Sequence, residues 1–359
     1  MRKDWEYKKF EECISKVPKT PKIQSSAYNQ GSKYPIISQE ENALISGFCD
    51  DESLLFHIER PVVIFGDHTR ALKYIDFDFA IGADGVKVIL PKAFLNAKFL
   101  LYYLKWYNIP NLGYSRHYKL LKEVFVPIPT TEKQLAIVAE LDKINELIQL
   151  KKQQLKDYDQ LAQSIFHEMF GDPVENEKGW EVKKLGEVTI YPNERISIED
   201  IQSNQYIGVE NLLKNKAGVS FSNQLPNATS AIYFSFNDIL LGNIRPYLKK
   251  IWLSDTIGGA SGDVIVIRIS SNKVLPMYLF KLLSTDTFFD YDNLNTKGAK
   301  MPRGDKKVIA KFPVPLPPLP LQQQFAARIE AIERQKQQVS ETIKDLETLL
   351  ASRMQYWFD

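Results

Sequence analysis

The side chains best suited to chemistry in this 359-residue chain are clustered cations. Between Thr296 and Phe312 stand Lys297, Lys300, Arg303, Lys306, Lys307 and Lys311, with Asp305 the only acid among them. A glycine-containing loop of this composition suits phosphate contacts, and an arginine within it can grip guanine through two hydrogen bonds. Arg116, His117, Lys119 and Lys122 hold the equivalent place in the first half of the chain. A second pair of loops follows two apolar runs that end in glycine. His68, Arg70 and Lys73 come after Gly66; Asn243, Arg245, Tyr247, Lys249 and Lys250 come after Gly242. Asn and Arg are good readers of base edges. A solvated charge run or a capping role accounts for any one of these residues equally well, so the DNA reading draws on their recurrence in both halves.

Residues that could run a reaction are missing from the pattern. There is no Gly-x-Gly-x-x-Gly, no Gly-x-x-x-x-Gly-Lys-Ser/Thr and no Asn-Pro-Pro-aromatic motif of an amino-methyltransferase. The acidic turn from Asp172 to Lys178 lacks the spacing of a nuclease carboxylate-lysine site. The four histidines, at 57, 68, 117 and 167, are too scattered for a metal or nucleophile site. Cys13 and Cys49 form neither a disulfide framework nor a zinc pair. Asp76 and Asp78, in a Phe-alternating stretch, read as the polar face or end of a strand rather than a cation site. The expectation is a recognition module with no catalytic residues, no metal and no cofactor of its own.

Long helices must position these loops. From Thr131 to Asp172 no proline or glycine occurs before Gly171, and Ile137, Leu141, Ile144, Ile148 and Leu155 follow a heptad rhythm that continues through Tyr158, Ala162, Ile165 and Met169. Shifted by 188 residues, the ladder reappears as Phe325, Ile329, Ile332, Val339, Ile343, Leu346, Leu350 and Trp357. Lys151 interrupts the first ladder, and Lys336 and Arg353 interrupt the second, marking where the seam should be weakest or where a partner enters. Helices of roughly 36 residues are rods of about 54 Å, and each exposes an apolar stripe that needs cover. Packing the two on each other, antiparallel, is the simplest solution.

The globular stretches repeat as well. Trp180-Glu-Val-Lys-Lys-Leu repeats Trp5-Glu-Tyr-Lys-Lys-Phe, Tyr206-Ile-Gly-Val echoes Tyr34-Pro-Ile-Ile, and the small-residue turn at 258–267 matches that at 80–89. VPLP at 314–317 matches VPIP at 126–129. The predicted organisation is a duplication: an α/β globe over 1–128, a spacer helix over 129–172, a second globe over 173–317 and a second spacer helix over 318–359. The fold class is therefore α/β globular domains plus long α-helices, with the globes separated by a two-helix antiparallel coiled coil and related by a pseudo-twofold axis. Lys plus Arg, 46, nearly balances Asp plus Glu, 44, so any basic surface is local. No run of about 18 apolar residues occurs and the first residues lack a signal-peptide core, which predicts a cytoplasmic protein without a membrane segment.

The helix ending IFHEMFGDP (165–173), GWEVKKLGEV (179–188), DILLGNIRPYLKK (238–250), KGAKMPRGDKK (297–307), PVPLPPLPLQQQFAARIEAIERQK (313–336) and SRMQYWF (352–358) together resemble the specificity (S) subunit of type I restriction-modification systems over nearly the whole chain. The resemblance implies two target-recognition domains that read the halves of a split, asymmetric site in double-stranded DNA. It also implies spacer helices that dock two methyltransferase (M) subunits, which associate with restriction/translocase (R) subunits. Adenine methylation with S-adenosylmethionine, and cleavage with ATP and Mg, then belong to those partners. The first globe departs from the pattern, with VVIFGDHTRALK and GYSRHYKLLK in place of the second globe's loops. Two alternatives are a coiled-coil scaffold whose globes bind proteins and a similar specificity subunit of another methylation-based defence system.

Overall fold

The computed structural model describes every residue except 1, 3, 32, 84, 114 and 297–300. The chain divides into two compact units, one of residues 1–153 with 340–359 and one of residues 154–339. Each unit takes an α/β globe together with the helix segments that pack on it.

In the first unit, the strand Val62–Gly66 is buried along its whole length and pairs antiparallel with Val86–Pro91 on one side and Leu72–Ile75 on the other. Ile14–Ser15 completes this four-stranded sheet beyond Val86–Pro91. The unbroken Val-Val-Ile-Phe run follows from cover on both faces. Val63 and Phe65 join the cluster around helix α1 (Ala97–Tyr107), while Val62 and Ile64 face Phe79 and Ile81 of a second sheet. In that second sheet Tyr34–Ile37 runs parallel to Phe79–Gly82. Helix α1 begins where the Asn96 side chain accepts from the backbone N–H groups of Lys98 and Phe99, and ends at Asn108 in the left-handed region, φ 44°.

The second unit is built on the same plan. Ile239–Gly242 is again fully buried, between Val264–Ile269 and Ile251–Leu253, with Thr189–Ile190 on the outer edge. Ile239 and Leu241 face the main core, and Leu240 faces a second cluster with Trp252 and Phe234. Tyr206–Ile207 runs parallel to Gly258–Ala260, the counterpart of the Tyr34–Ile37 pairing. In both units a two-stranded antiparallel ribbon closes the globe: Glu6–Lys9 with Phe125–Ile128, and Glu181–Lys184 with Pro313–Leu316. The repeat read from sequence is thus a repeat of topology.

Helices α2 (Thr131–Phe170) and α3 (Leu319–Phe358) each have 40 residues. Gly171, at φ 77°, lets α2 stop. In the first unit α2 and α3 are antiparallel neighbours: Glu140 binds Arg353 and the Trp357 indole, and Lys152 meets Glu347 at 2.8 Å. In the second unit Lys336 meets Asp159 at 2.8 Å, and Phe325 packs on Phe166 and Phe170. Ile137, Leu141, Ile144, Ile148, Phe325, Ile329, Ile332, Val339 and Ile343 are buried, as the ladder requires, while Leu155, Leu346 and Leu350 are half-buried. Several of them do more than line a seam. Ile137 and Leu141 belong to the first globe's core, and Phe325, Ile329 and Ile332 to the second's. The expectation that Lys336 and Arg353 weaken the seam is corrected. Each long cationic side chain reaches a carboxylate on the neighbouring helix, so both positions carry interhelical ion pairs.

Candidate nucleic-acid interface

The two basic loops of the second unit meet. Beyond Gly242, Ile244 forms an antiparallel bridge with Arg303, the Arg245 N–H donates to the Pro302 carbonyl at 2.8 Å, and the Gly304 N–H donates to the Asn243 carbonyl at 3.2 Å. The Asn243 N–H donates to Asp263 O at 2.9 Å, and the Asp263 carboxylate holds the Arg303 guanidinium at 3.1 Å. Three chain segments are thereby locked into one ledge. Arg245 and Lys249 both take left-handed backbone, φ 53° and 50°, on either side of the short turn Pro246–Leu248, which leaves Arg245 and Tyr247 exposed. Asp305 accepts from the Lys307 N–H, and exposed Lys306 lies over the Tyr191 ring. Arg245, Tyr247, Arg303, Lys306 and Lys307 are the side chains this ledge presents to solvent.

Lys249 and Lys250 are committed elsewhere. Lys249 and Lys216 share Asp286 Oδ1 at 2.8 and 3.0 Å, and those hydrogen bonds hold the Asp286 carboxyl below the usual carboxylate range. Lys250 donates to the Val209 carbonyl at 2.6 Å, and desolvation lowers its ammonium pKa. Lys297 and Lys300 lie outside the described residues. Asn243 Oδ1 and Asp292 Oδ1 are buried without a hydrogen-bond partner among the described residues, and both flank Gly304, where a Cβ would stand 3.1 and 2.7 Å from them. Asn243 therefore points inward rather than at a base edge. Burial pushes the Asp292 carboxyl up to about 6.

The first unit ties the same two loops by a different device. Asp67, 3% exposed, accepts at its carbonyl from the His117 N–H and ring Nδ1, at 2.8 and 2.9 Å, and at Oδ1 from the Tyr118 N–H at 2.8 Å. His117 Nε2 accepts from the Leu112 N–H at 2.9 Å, which requires the proton on Nδ1. His117 is fully buried with both nitrogens occupied, so its place among the DNA-contacting residues is corrected: it is a latch between loops. Lys73 is likewise corrected as a surface contact, because it is 7% exposed. Arg70 donates to the Ile109 carbonyl at 2.8 Å, His68 is half-buried, and Arg116 and Lys119 are exposed. Asp67 and Asp263 carry no motif of their own; the signal that points to them is their place one strand end away from a basic loop.

Among the described residues no group of three or more His, Cys, Asp or Glu could hold a metal ion, and no helix is long and apolar enough to cross a membrane. Asp78 instead accepts from His57 Nδ1 and the Ile58 N–H, closing a turn.

Two α/β units of one design, each with cationic loops bound together at one strand end, define a duplicated recognition protein. Residues 2–157 and 177–348 match the family described as the type I restriction modification DNA specificity domain, and the chain belongs to that family. It is 31% identical over 99 residues to the type I restriction enzyme EcoDI specificity subunit of Escherichia coli, covering 28% of this chain and 22% of that protein. Over 128 residues it is 31% identical to the MjaIX specificity subunit of Methanocaldococcus jannaschii, covering 29% of this chain and 30% of that one. The matched stretches thus span less than a third of either curated relative. Its fold is similar to that of the type I restriction-modification S subunit from M. genitalium, with TM-score 0.57 at 14% identity over 98% of this chain and 95% of that chain.

Proposed function

We propose that this chain is the DNA sequence-recognition subunit of a type I restriction-modification complex and carries no catalytic residues. Each α/β unit reads one part of a two-part, asymmetric site in duplex DNA. The observation that supports this most directly is the bridge between Ile244 and Arg303, which gathers the second unit's two basic loops into one ledge within a chain that the specificity family matches in both halves. In the second unit the contacts fall to Arg245, Tyr247, Arg303, Lys306 and Lys307; in the first, to Arg116, Lys119, His68 and Arg70. Helices α2 and α3 dock methyltransferase subunits, two per chain, and the restriction/translocase subunits join through them. S-adenosylmethionine, ATP and Mg serve those partners, and the complex works in the cytoplasm.

The test is co-expression with the cognate methyltransferase subunit, followed by genome-wide mapping of methylated adenines. The expected result is one bipartite motif that disappears when this gene is deleted. A methylation pattern indifferent to the deletion overturns the reading. A protein-binding scaffold differs in salt response: each phosphate contact contributes about 0.9 to the slope of log affinity against log salt, whereas a scaffold binds duplex weakly or with no such slope.

A further inference from the structure

We propose that Asp286 is a positioning residue for base reading: through Lys249 and Lys216 it sets the turn that presents Arg245 and Tyr247, and so serves discrimination between sequences rather than affinity. The inference rests on the DNA reading of the second unit and adds to it a residue that lies outside the ledge. Asp286 opens the helix Asp286–Leu294, which has no counterpart among the described residues of the first unit. In the first unit residues 108–117 join the helix Ala97–Tyr107 to the short helix Tyr118–Leu121; in the second, residues 284–305 make the same connection between Pro276–Leu283 and Lys306–Ile309. Both connections lead on to the ribbon that closes the globe, so the shared topology is complete without the added helix. The addition is nevertheless firmly built. The Thr285 side chain caps it by accepting from the Phe288 N–H, and Phe288 and Phe289 are buried in the main core.

The surface this helix reaches is the Pro246–Leu248 turn, against which it packs. Asp286 Oδ1 accepts from the ammonium of Lys249, the residue that ends the turn, and from that of Lys216 in a neighbouring loop. The Lys216 N–H in turn donates to the Lys249 carbonyl at 2.7 Å. One carboxylate thereby fixes both segments. They need fixing, because Asn215, Lys216, Arg245 and Lys249 all hold left-handed backbone, φ 57°, 62°, 53° and 50°. Such backbone in residues other than glycine persists where the surroundings over-determine it, and it gathers at binding sites. The near end of the turn is held on the ledge by the Arg245 N–H on the Pro302 carbonyl, so Asp286 supplies the restraint at the far end.

The first unit shows what the clamp releases. There Arg70 also stands in left-handed backbone, φ 62°, but its own guanidinium ties the loop, to Ile109 O at 2.8 Å and to Asn108 Oδ1 at 3.4 Å. In the second unit Asp286 does the tying from outside. The exposed Arg245 guanidinium accordingly makes no hydrogen bond or ion pair among the described residues. Recognition of guanine through two hydrogen bonds asks for an arginine with both donors free on backbone held in one place. The clamp meets both demands, and it fixes Tyr247 at the tip of the same turn.

The test uses the full chain, co-expressed with its methyltransferase subunit, and two substitutions that break the clamp from opposite sides, Asp286→Asn and Lys249→Gln. The probes are a duplex carrying the methylated motif mapped for wild type, versions of it with single base pairs changed, and a mixed-sequence duplex. Both variants should lose discrimination against changed base pairs by roughly tenfold, in one half of the motif only. On the mixed-sequence duplex they should act in opposite directions. Asp286→Asn removes a negative charge and releases two ammoniums, so binding tightens and the salt slope steepens by about 1 or more, whereas Lys249→Gln removes a cation and weakens binding. If Asp286→Asn fails to fold, Lys249→Gln breaks the same clamp and carries the same comparison. Changed mixed-sequence affinity with unchanged discrimination overturns the proposal and leaves Asp286 an ordinary surface charge. Discrimination lost equally in both halves overturns it too, as the mark of general loosening. A wild type that yields no motif and binds no duplex overturns the DNA reading, and this proposal with it.

Discussion

Gln134 and Gln322, 188 residues apart in sequence, hold their buried side-chain amides in the same setting of three hydrogen bonds. Gln134 Oε1 accepts from the Asn96 N–H and its Nε2 donates to the Phe94 and Pro129 carbonyls. Gln322 Oε1 accepts from the Leu275 N–H and its Nε2 donates to the Lys273 and Pro317 carbonyls. Each amide staples the start of a long helix to the segment leading into its globe's own helix and to the ribbon exit. Replacing Gln322 with Leu strands one buried and two part-buried backbone groups, at about 1–3 kcal/mol for a buried group left unsatisfied, less where water reaches it, and not fully additive. The expected loss is about 2–4 kcal/mol in urea unfolding of the second unit. A loss below about 0.5 kcal/mol, the range of an ordinary surface change, would show the staple to be dispensable.

Arg245 and Arg303 separate contact from scaffold. Arg245 makes no ion pair among the described residues, so Arg245→Ala should leave stability within about 0.5 kcal/mol of wild type. Its cost should appear in DNA affinity, about 1–3 kcal/mol with relaxed choice of base in one half-site. Arg303→Ala also releases the Asp263 carboxylate from its 3.1 Å partner, so binding and ledge stability should fall together. Binding of a site-bearing duplex and of base-substituted versions distinguishes the two. Unchanged affinity in both variants would exclude the ledge.

His117 should behave as a structural residue. His117→Ala leaves the Leu112 N–H unpaired and removes the Nδ1 donor to Asp67. Asp67 is buried whereas Leu112 is exposed, so a cost of about 1–3 kcal/mol in the first unit follows, most of it from the Asp67 side. Because no phosphate contact is lost, the salt slope of duplex binding should stay the same even where affinity drops. A slope shallower by about 1 would return His117 to the interface.

The duplication, the two long helices and most seam positions were legible in the sequence because they rest on periodicity, and periodicity is a property of spacing alone. The Ile137 and Phe325 ladders needed only a count of residues. What the spacing concealed was direction. His117, Lys73 and Lys250 look like members of basic loops, yet each turns inward to a backbone carbonyl. Gln134 and Gln322 are in register at 188 residues, but spacing alone does not mark them as buried staples. Lys336 and Arg353 looked like defects in a ladder because the carboxylates they reach, Asp159 and Glu140, stand on the other helix. In each case the deciding partner is distant in sequence.

Asp292 should make the second unit's stability depend on pH. Burial raises its carboxyl from the ordinary 3.8 to about 6, and it is 2% exposed. Between those values the folded state binds a proton that the unfolded state has released, so this contribution is complete below pH 4 and is lost as pH rises through 6. A shift of this size corresponds to roughly 2–3 kcal/mol at about 1.4 kcal/mol per unit. Asp292→Asn keeps the shape of the neutral acid and cannot ionise. Its stability should therefore match wild type near pH 4 and exceed it by up to about 2–3 kcal/mol at pH 7 to 8. Urea unfolding of both proteins across that range gives the difference directly, and other titrating groups cancel in the comparison. A difference that stays constant with pH would mean that Asp292 is ionised in the folded unit and has found a donor beside Gly304.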